Sequence, residues 1–224
     1  MQTYRMLCEK PICEELEFLV EEKNTKEPCN YYLQGLYLMA DKANKNKRQY
    51  SLNEMTNEVN RYKNEFVTKN RALGELNHPA DSTEVDLSRA CHMVVSLEQK
   101  DNNYFWGKSK ILSTPTGVVV RQLLSDGVKI GISSRALGRL VPRGDVNLVE
   151  GFRLLALDLV HEPSVNDAML DSIMENRQYI IQEGGQIVEL ACDSLECKLN
   201  SIPKQNVENY LAEAFAEFFK SLKG

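Results

Sequence analysis

The pattern of apolar and polar positions predicts a chain in which strands outnumber helices. The apolar and aromatic run over residues 30–40 is typical of a buried strand. Over residues 52–70 apolar side chains recur at steps of three and four, behind a capping-box spacing of Ser51 and Glu54, which predicts an amphipathic helix. Residues 1–29 combine many charges with scattered apolar positions and predict an irregular lead-in.

The middle of the chain adds further β structure to this prediction. Residues 90–97 alternate between two faces, and a turn-rich segment connects them to residues 104–112, which predicts a β-hairpin. Residues 128–135 and 151–160 predict two more strands, and residues 117–125 a short helix before them. The pattern therefore predicts an α+β fold with a β-rich core and helices around it.

The pattern becomes helical towards the end of the chain. Residues 166–181 and 206–222 have the helical period, and Gly184-Gly185 interrupts them. The sequence thus predicts an irregular lead-in, a central domain and a helical C-terminal extension, with bounds of 1–29, 30–165 and 166–224.

Composition excludes several classes of partner. The chain has 27 Lys and Arg against 32 Asp and Glu, a net charge of −5, and no basic block, which argues against direct contact with nucleic acid. Its apolar runs are far shorter than the roughly 20 residues that span a bilayer, and no secretion signal is visible, so we expect a cytoplasmic protein without membrane contact. Six irregularly spaced cysteines and three histidines predict neither a metal centre nor a bound cofactor.

Asp158 is a candidate for chemistry because of where it lies. The strand predicted for residues 152–160 is almost entirely apolar, and burying an isolated carboxylate there would cost several kcal/mol. A buried Asp158 therefore needs a partner, and a histidine ring or Arg153 could supply it. An aspartate that faces solvent or makes a structural hydrogen bond is the alternative.

His78 and Ser133 are the candidates for base and nucleophile. Pro79 favours an extended backbone at His78, whose ring titrates near physiological pH and suits general-base work. Ser134 is an alternative nucleophile, since a shift of one residue along a strand exchanges the two faces. A serine needs a base and a third group that orients the base. The chain offers His78, Ser133 and Asp158 for these roles, although spacing alone does not show that they meet.

Three sequence blocks resemble the prohead core protein proteases of tailed myophages. They are Asn46-Lys-Arg-Gln-Tyr50, Ala72-Leu-Gly-Glu-Leu-Asn-His-Pro79 and Gly131-Ile-Ser-Ser-Arg-Ala-Leu-Gly138. Their order and spacing match that family across roughly residues 35–165. The resemblance implies that His78 is the catalytic base and Ser133 the nucleophile. It also implies a fold similar to herpesvirus assemblin, with a β-barrel-like antiparallel core surrounded by helices, and a third catalytic member at Asp158.

The same resemblance implies a serine endopeptidase that cleaves scaffold or core proteins, capsid proteins and itself inside the assembling prohead, in the host cytoplasm. The extension 166–224 is then expected to be removed by self-cleavage. The sequence leaves undecided whether the chain forms a homo-oligomer. Arg135 and Asn166 are expected donors to the oxyanion that forms during acyl transfer. Where the family has a glycine after Ser-Ser-Arg, this chain has Ala136, so the loop there is expected to differ.

Two alternatives belong to other classes of protein. One is a structural or scaffold-associated prohead protein that keeps the protease fold without activity. The other is a metal-dependent hydrolase with a centre built from His78, His92, His161 and Asp158.

Overall fold

The structure is a computed structural model that describes residues 3–9, 16–21, 30–79, 82–100, 103–161, 178–182 and 184–189. The first half contains β1 (Tyr4–Cys8), β2 (Glu17–Glu21), β3 (Asn30–Met39), β4 (Arg48–Tyr50), α1 (Leu52–Tyr62), a π-helical turn (Lys63–Val67) and β5 (Leu73–Glu75). After β5 come β6 (Ala90–Lys100), β7 (Tyr104–Ile111), α2 (Pro115–Ser125), β8 (Ile130–Arg143), β9 (Val146–His161), β10 (Gln178–Ile181) and β11 (Ile187–Glu189).

The strands form two open sheets. One has the order β11-β10-β1-β8-β9-β4 and the other β2-β3-β7-β6-β5. All the pairings are antiparallel except that of β4 with β9, which is parallel. The prediction of an α+β fold with a β-rich core is confirmed, and strands make up most of the described elements. The expected barrel-like core is, over the described residues, a pair of open sheets with two α-helices, and the finer likeness to assemblin stays a prediction.

The long hairpin of β8 and β9 is the element that positions the site. The strands are 14 and 16 residues long, and Gly144, at a φ of 63°, turns the chain between them. Both strands extend well beyond the predicted ranges 128–135 and 151–160, because the segment up to Arg143 also pairs with β9. The register sets Ser133 directly opposite Asp158.

Most of the other predicted elements are present. The predicted strand at 30–40, the hairpin of β6 and β7 and the helix at 117–125 are confirmed. Helix α1 begins where its cap predicted, since the Ser51 hydroxyl accepts a hydrogen bond from the Glu54 amide at 3.3 Å. It buries Met55, Val59 and Tyr62 against the sheets, and continues as the π-helical turn rather than as regular helix to residue 70. No helix of the described residues is long and apolar enough to cross a membrane.

The two ends of the chain differ from the predicted pattern. Strands β1 and β2 lie within residues 1–29, which had been expected to be irregular. Met6 and Leu7 of β1 are fully buried. The strand has only five residues, so its pattern of apolar and polar positions is too short to be recognised among the surrounding charged residues. Residues 178–181, expected to be helical, form a strand that pairs with β1. The helical pattern at 206–222 lies outside the described residues.

Candidate active site

Three sequence-predicted residues are brought together beside the β8–β9 hairpin. Ser133 on β8 faces Asp158 on β9, and His78 lies in the loop after β5. That loop is fixed to β9, because the Asn77 amide donates to the Leu159 carbonyl oxygen at 2.7 Å. Asn77 adopts a φ of 62°, a left-handed conformation that asparagine tolerates better than most residues. The sequence Asn-His-Pro thus turns the imidazole towards the hairpin.

The three side chains form a continuous hydrogen-bonded series. His78 Nδ1 lies 2.8 Å from Asp158 Oδ2, and His78 Nε2 lies 2.7 Å from Ser133 Oγ. The side chains of Ser133 and Asp158 are buried, while that of His78 is 17% exposed. With Asp158 ionised, Nδ1 carries the ring proton and Nε2 is free to accept the serine proton. This is the arrangement that activates a serine as a nucleophile.

Arg135 lies behind the carboxylate and is also fully buried. Its Nε donates to Asp158 Oδ2 at 3.0 Å, and Nη2 donates to Glu75 Oε1 at 3.0 Å. Its Nη1 donates to the carbonyl oxygens of Ser82 and Glu84 at 2.9 and 3.0 Å. All three guanidinium nitrogens are therefore engaged with groups other than a substrate. These contacts give the guanidinium a positioning role towards Asp158, and the expected oxyanion role of Arg135 stays a prediction.

These contacts explain how a buried aspartate stays charged. Burial opposes the ionisation of Asp158, but the hydrogen bond with His78 and the charge of Arg135 outweigh it, so its pKa lies below the ordinary value. The Glu75 amide donates a further hydrogen bond to Asp158 Oδ1 at 3.0 Å. The predicted need for a partner is thus met twice, by His78 and by Arg135.

The sequence contained a signal for the second partner. Residues two apart on a strand point to the same face, so Arg135 and Ser133 share a face of β8. Arg153, which we had considered as the partner of Asp158, instead has its Nη2 4.0 Å from Glu65 Oε2.

The remaining candidates lie apart from this series. Ser134 is paired with Leu157 on the neighbouring strand and turns its side chain to the other face of β8. His161 is exposed, with its Nδ1 3.3 Å from the Lys129 carbonyl oxygen. Asn166 lies outside the described residues. Among the residues that the structure describes, no group of three or more His, Cys, Asp or Glu side chains is arranged to hold a metal ion.

His92 is a buried structural histidine close to the site. Its Nε2 donates to the Leu157 carbonyl oxygen at 2.8 Å, and burial lowers its pKa to about 4, so the ring is neutral. Gly74 of β5 packs directly on this pair: a Cβ there would lie 2.0 Å from the Leu157 oxygen and 2.1 Å from His92 Nε2. The absence of a side chain at Gly74 lets β5 approach β9 closely and carry His78 into place.

Sequence reasoning missed Glu9, which follows β1 and reaches the nucleophile. Ser133 Oγ is in hydrogen-bond contact with the backbone carbonyl oxygen of Glu9. No motif marks Glu9, because its proximity depends on how β1 pairs with β8 across more than 120 residues of sequence.

A serine, a histidine and a carboxylate joined by hydrogen bonds form the catalytic triad that is typical of serine hydrolases. The chain belongs to the prohead core protein serine protease family, whose sequence model matches residues 1–178. The family expected from the three sequence blocks is therefore confirmed.

One relative and one solved structure show how far the similarity extends. The chain is 32% identical over 142 residues to the prohead core protein protease of Enterobacteria phage T4. The matched region covers 61% of this chain and 66% of the relative, which is just under two thirds of the relative's length. The fold is similar to that of the bacteriophage T4 capsid assembly protease, with a TM-score of 0.64 and 28% identity, over 71% of this chain and 99% of that chain.

Proposed function

We propose that this chain is a serine endopeptidase that cuts proteins of the assembling phage prohead. The observation that carries the proposal is the hydrogen-bonded series from Ser133 through His78 to Asp158. The membership of the chain in a protease family supports the peptide bond as the substrate. The names of the relative and of the solved structure support prohead or capsid proteins as the source of that bond.

The reaction follows from the positions of the three side chains. Ser133 Oγ attacks the carbonyl carbon of the peptide bond while His78 Nε2 takes its proton, and a tetrahedral intermediate forms. His78 then gives that proton to the leaving nitrogen as the carbon–nitrogen bond breaks, which leaves an ester between Ser133 and the substrate. Water, deprotonated by His78, hydrolyses the ester and restores the serine. Asp158 keeps the ring oriented and stabilises the imidazolium that forms twice in the cycle.

Arg135 and Glu75 act on this reaction only through Asp158. The guanidinium fixes one carboxylate oxygen and the Glu75 amide the other, so Asp158 presents Oδ2 to the ring at a fixed angle. Both groups contact Asp158, and we assign both a positioning role. The oxyanion roles of Arg135 and Asn166 stay predictions.

The substrates that we propose are scaffold or core proteins, capsid proteins and the chain itself, cut inside the prohead in the host cytoplasm. Removal of the extension 166–224 by self-cleavage is part of this proposal. The division into a lead-in, a protease domain over 30–165 and this extension stays a prediction, as does the oligomeric state.

Labelling with a fluorophosphonate probe tests the function directly, because such probes react with activated serines. We expect the wild type to be labelled at Ser133, the Ser133→Ala variant to remain unlabelled, and His78→Ala to react at least about a hundredfold more slowly, the usual minimum contribution of a general base. Ser134→Ala is the matched control and should react like the wild type. Equal labelling of wild type and Ser133→Ala would favour the inactive structural protein instead.

A further inference from the structure

The side of β7 that points away from the core carries only aromatic and lysine side chains. Alternate residues of this strand, such as Phe105 and Ser109, are fully buried. The residues between them are partly exposed and share the opposite face, because successive side chains of a strand point to opposite sides. These partly exposed residues are Tyr104, Trp106, Lys108 and Lys110. Flat rings and positive charge are thus combined on one side of the strand.

The neighbouring strands extend this side of the sheet in both directions. Tyr32 of β3 is paired with Lys110, and Lys100 of β6 is paired with Tyr104. Directly paired residues of neighbouring strands have their side chains on the same face of a sheet. Lys42, in the loop after β3, donates a hydrogen bond to the Tyr104 hydroxyl. Together they form an aromatic–lysine face, which consists of Tyr32, Lys42, Lys100, Tyr104, Trp106, Lys108 and Lys110.

Three of the lysines are held over the three rings of this face. The distances from Nζ to the ring centroid are 4.3 Å for Lys108 over Tyr32, 4.8 Å for Lys42 over Tyr104 and 4.9 Å for Lys100 over Trp106. All three lie within the roughly 6 Å over which a cation is attracted to a ring. A ring orients an ammonium group without neutralising it, and the group keeps donors for a further partner. The lysines are therefore fixed in position with their charge available.

The aromatic–lysine face is positively charged on an acidic protein. Among the described residues, no carboxylate forms a salt bridge with any of its four lysines. Of the carboxylates at its border, Glu98 binds Lys63 Nζ at 2.7 Å and Glu21 accepts a hydrogen bond from the Tyr32 hydroxyl at 3.2 Å. The whole chain has a net charge of −5, so the positive charge is a local property of this face. Such a face attracts a partner of negative charge.

We infer that the aromatic–lysine face binds an acidic segment of another protein, rich in Glu or Asp. Carboxylates of that segment pair with the ammonium groups, and its apolar parts pack on the rings, since aromatic side chains are typical of protein interfaces. Single-stranded nucleic acid is also negative, but its bases stack on open rings, and here an ammonium group lies over each ring. A carboxylate can pair with these ammonium groups without displacing them. The inference goes beyond the proposed function and does not depend on it, because no residue of this face belongs to the catalytic series.

Fluorescence of Trp106 measures binding at this face, because Trp106 is the only tryptophan in the chain. The protein is the full chain with Ser133→Ala, which prevents cleavage, and the probe is a peptide of alternating Glu and Ser. We expect a saturable change in emission, with a Kd that rises by about tenfold between about 0.05 and 0.5 M salt, because salt screens exposed charges. The matched peptide of alternating Gln and Ser should have no effect. No change with the Glu peptide, or an equal change with the Gln peptide, would overturn the inference.

Variants with matched charge show whether binding is local to this face. We expect Lys100→Gln, Lys108→Gln and Lys110→Gln together to raise the Kd for the Glu peptide by about tenfold or more, the effect of losing charge-assisted hydrogen bonds. Titration calorimetry measures this Kd, because the substitution at Lys100 also alters the surroundings of Trp106.

The control removes the same amount of charge from exposed lysines elsewhere, which are Lys45, Lys69 and Lys129. The Kd of this second triple Gln variant should stay within about twofold of the unsubstituted value, because exposed charges further away than a Debye length are screened. Equal losses in the two variants would show attraction to the net charge alone and would overturn the face as a site.

An oligothymidylate of the same charge as the Glu peptide tests the other class of partner. We expect it to bind more weakly than the peptide at equal salt, because its bases find the rings covered. Tighter binding of the oligothymidylate, lost in the Lys100, Lys108 and Lys110 variant, would assign the face to nucleic acid and overturn the acidic protein segment.

Discussion

Arg135 and Asp158 form a fully buried ion pair, with Nε 3.0 Å from Oδ2. In the β8–β9 ladder Asp158 is paired with Ser133, and Arg135 lies two residue pairs further along. The same guanidinium binds Glu75 Oε1, while Glu75 Oε2 lies 3.2 Å from Nε of the more exposed Arg89. Removing one member of such a group leaves uncompensated charge away from water, which costs more than the pair itself contributes. The stability of the fold and the orientation of Asp158 are therefore connected through Arg135.

We expect Arg135→Met to lower the free energy of unfolding by about 3–5 kcal/mol, the range for breaking a buried ion pair. The half-exposed pair of Arg139 and Glu150 on the same hairpin supplies the control. Arg139→Met should cost no more than about 1 kcal/mol, because exposed pairs contribute little. Urea unfolding of both variants at pH 7 measures the difference, and equal losses would contradict the role given to Arg135.

His92 makes the stability of the protein depend on pH. Its pKa is about 4 in the folded protein and about 6.5 in the unfolded chain, so between these values the unfolded chain binds more protons. The stabilisation that the neutral His92 ring contributes is complete above pH 6.5, and it is lost as the pH falls from 6.5 to about 4. One pH unit of pKa difference corresponds to about 1.4 kcal/mol, so the full effect is about 3 kcal/mol.

The contribution of His92 can be isolated by urea unfolding between pH 7 and pH 4.5. We expect His92→Gln to flatten the pH dependence relative to the wild type, whatever its stability at pH 7. His161→Gln, at an exposed histidine, should retain the wild-type slope. An unchanged slope in His92→Gln would show that the buried ring is not the source.

Two buried tyrosines should respond in opposite ways to loss of their hydroxyl groups. The Tyr37 hydroxyl donates to Ser109 Oγ at 2.8 Å, whereas that of Tyr62 has no hydrogen-bond partner among the described residues. We expect Tyr37→Phe to cost about 1 kcal/mol and Tyr62→Phe to be neutral or stabilising, because burying an unpaired hydroxyl is unfavourable. Thermal unfolding of the two variants side by side gives the comparison, and a larger loss for Tyr62→Phe would contradict it.

The sequence predicted those parts of the site that short patterns carry. His78 and Ser133 lie in blocks whose local composition is distinctive, and Asp158 could be singled out because a charge in an apolar strand needs a partner. Arg135 was visible beside Ser133, but whether it faces a carboxylate or a substrate depends on contacts with the loop near residue 82. Spacing along one strand carries no information about such contacts.

Glu9 is a residue of the site that no local sequence pattern could predict. Its charge lies among the many charges of the first 29 residues, and its contact with Ser133 arises only when β1 pairs with β8. The block Asn46–Tyr50 carries part of the family resemblance, but it does not predict that backbone hydrogen bonds turn the Asn44 amide towards Glu9. Long-range register and amide orientation are tertiary properties, which local patterns do not determine.

Strand β1 has a neighbour on each side, β8 of the hairpin and β10 of the C-terminal part of the chain. Because β10 begins at Gln178, a cut ahead of that residue that released the rest would turn β1 into the border of its sheet. The amide and carbonyl groups of Tyr4 and Arg5, which now face Tyr179 and Gln178, would then be open to solvent or to a strand from another molecule. The segment that ends at Glu9 would then be held in its sheet by β8 alone, so a cut near the C-terminal end of the chain would weaken the attachment of its N-terminal strand.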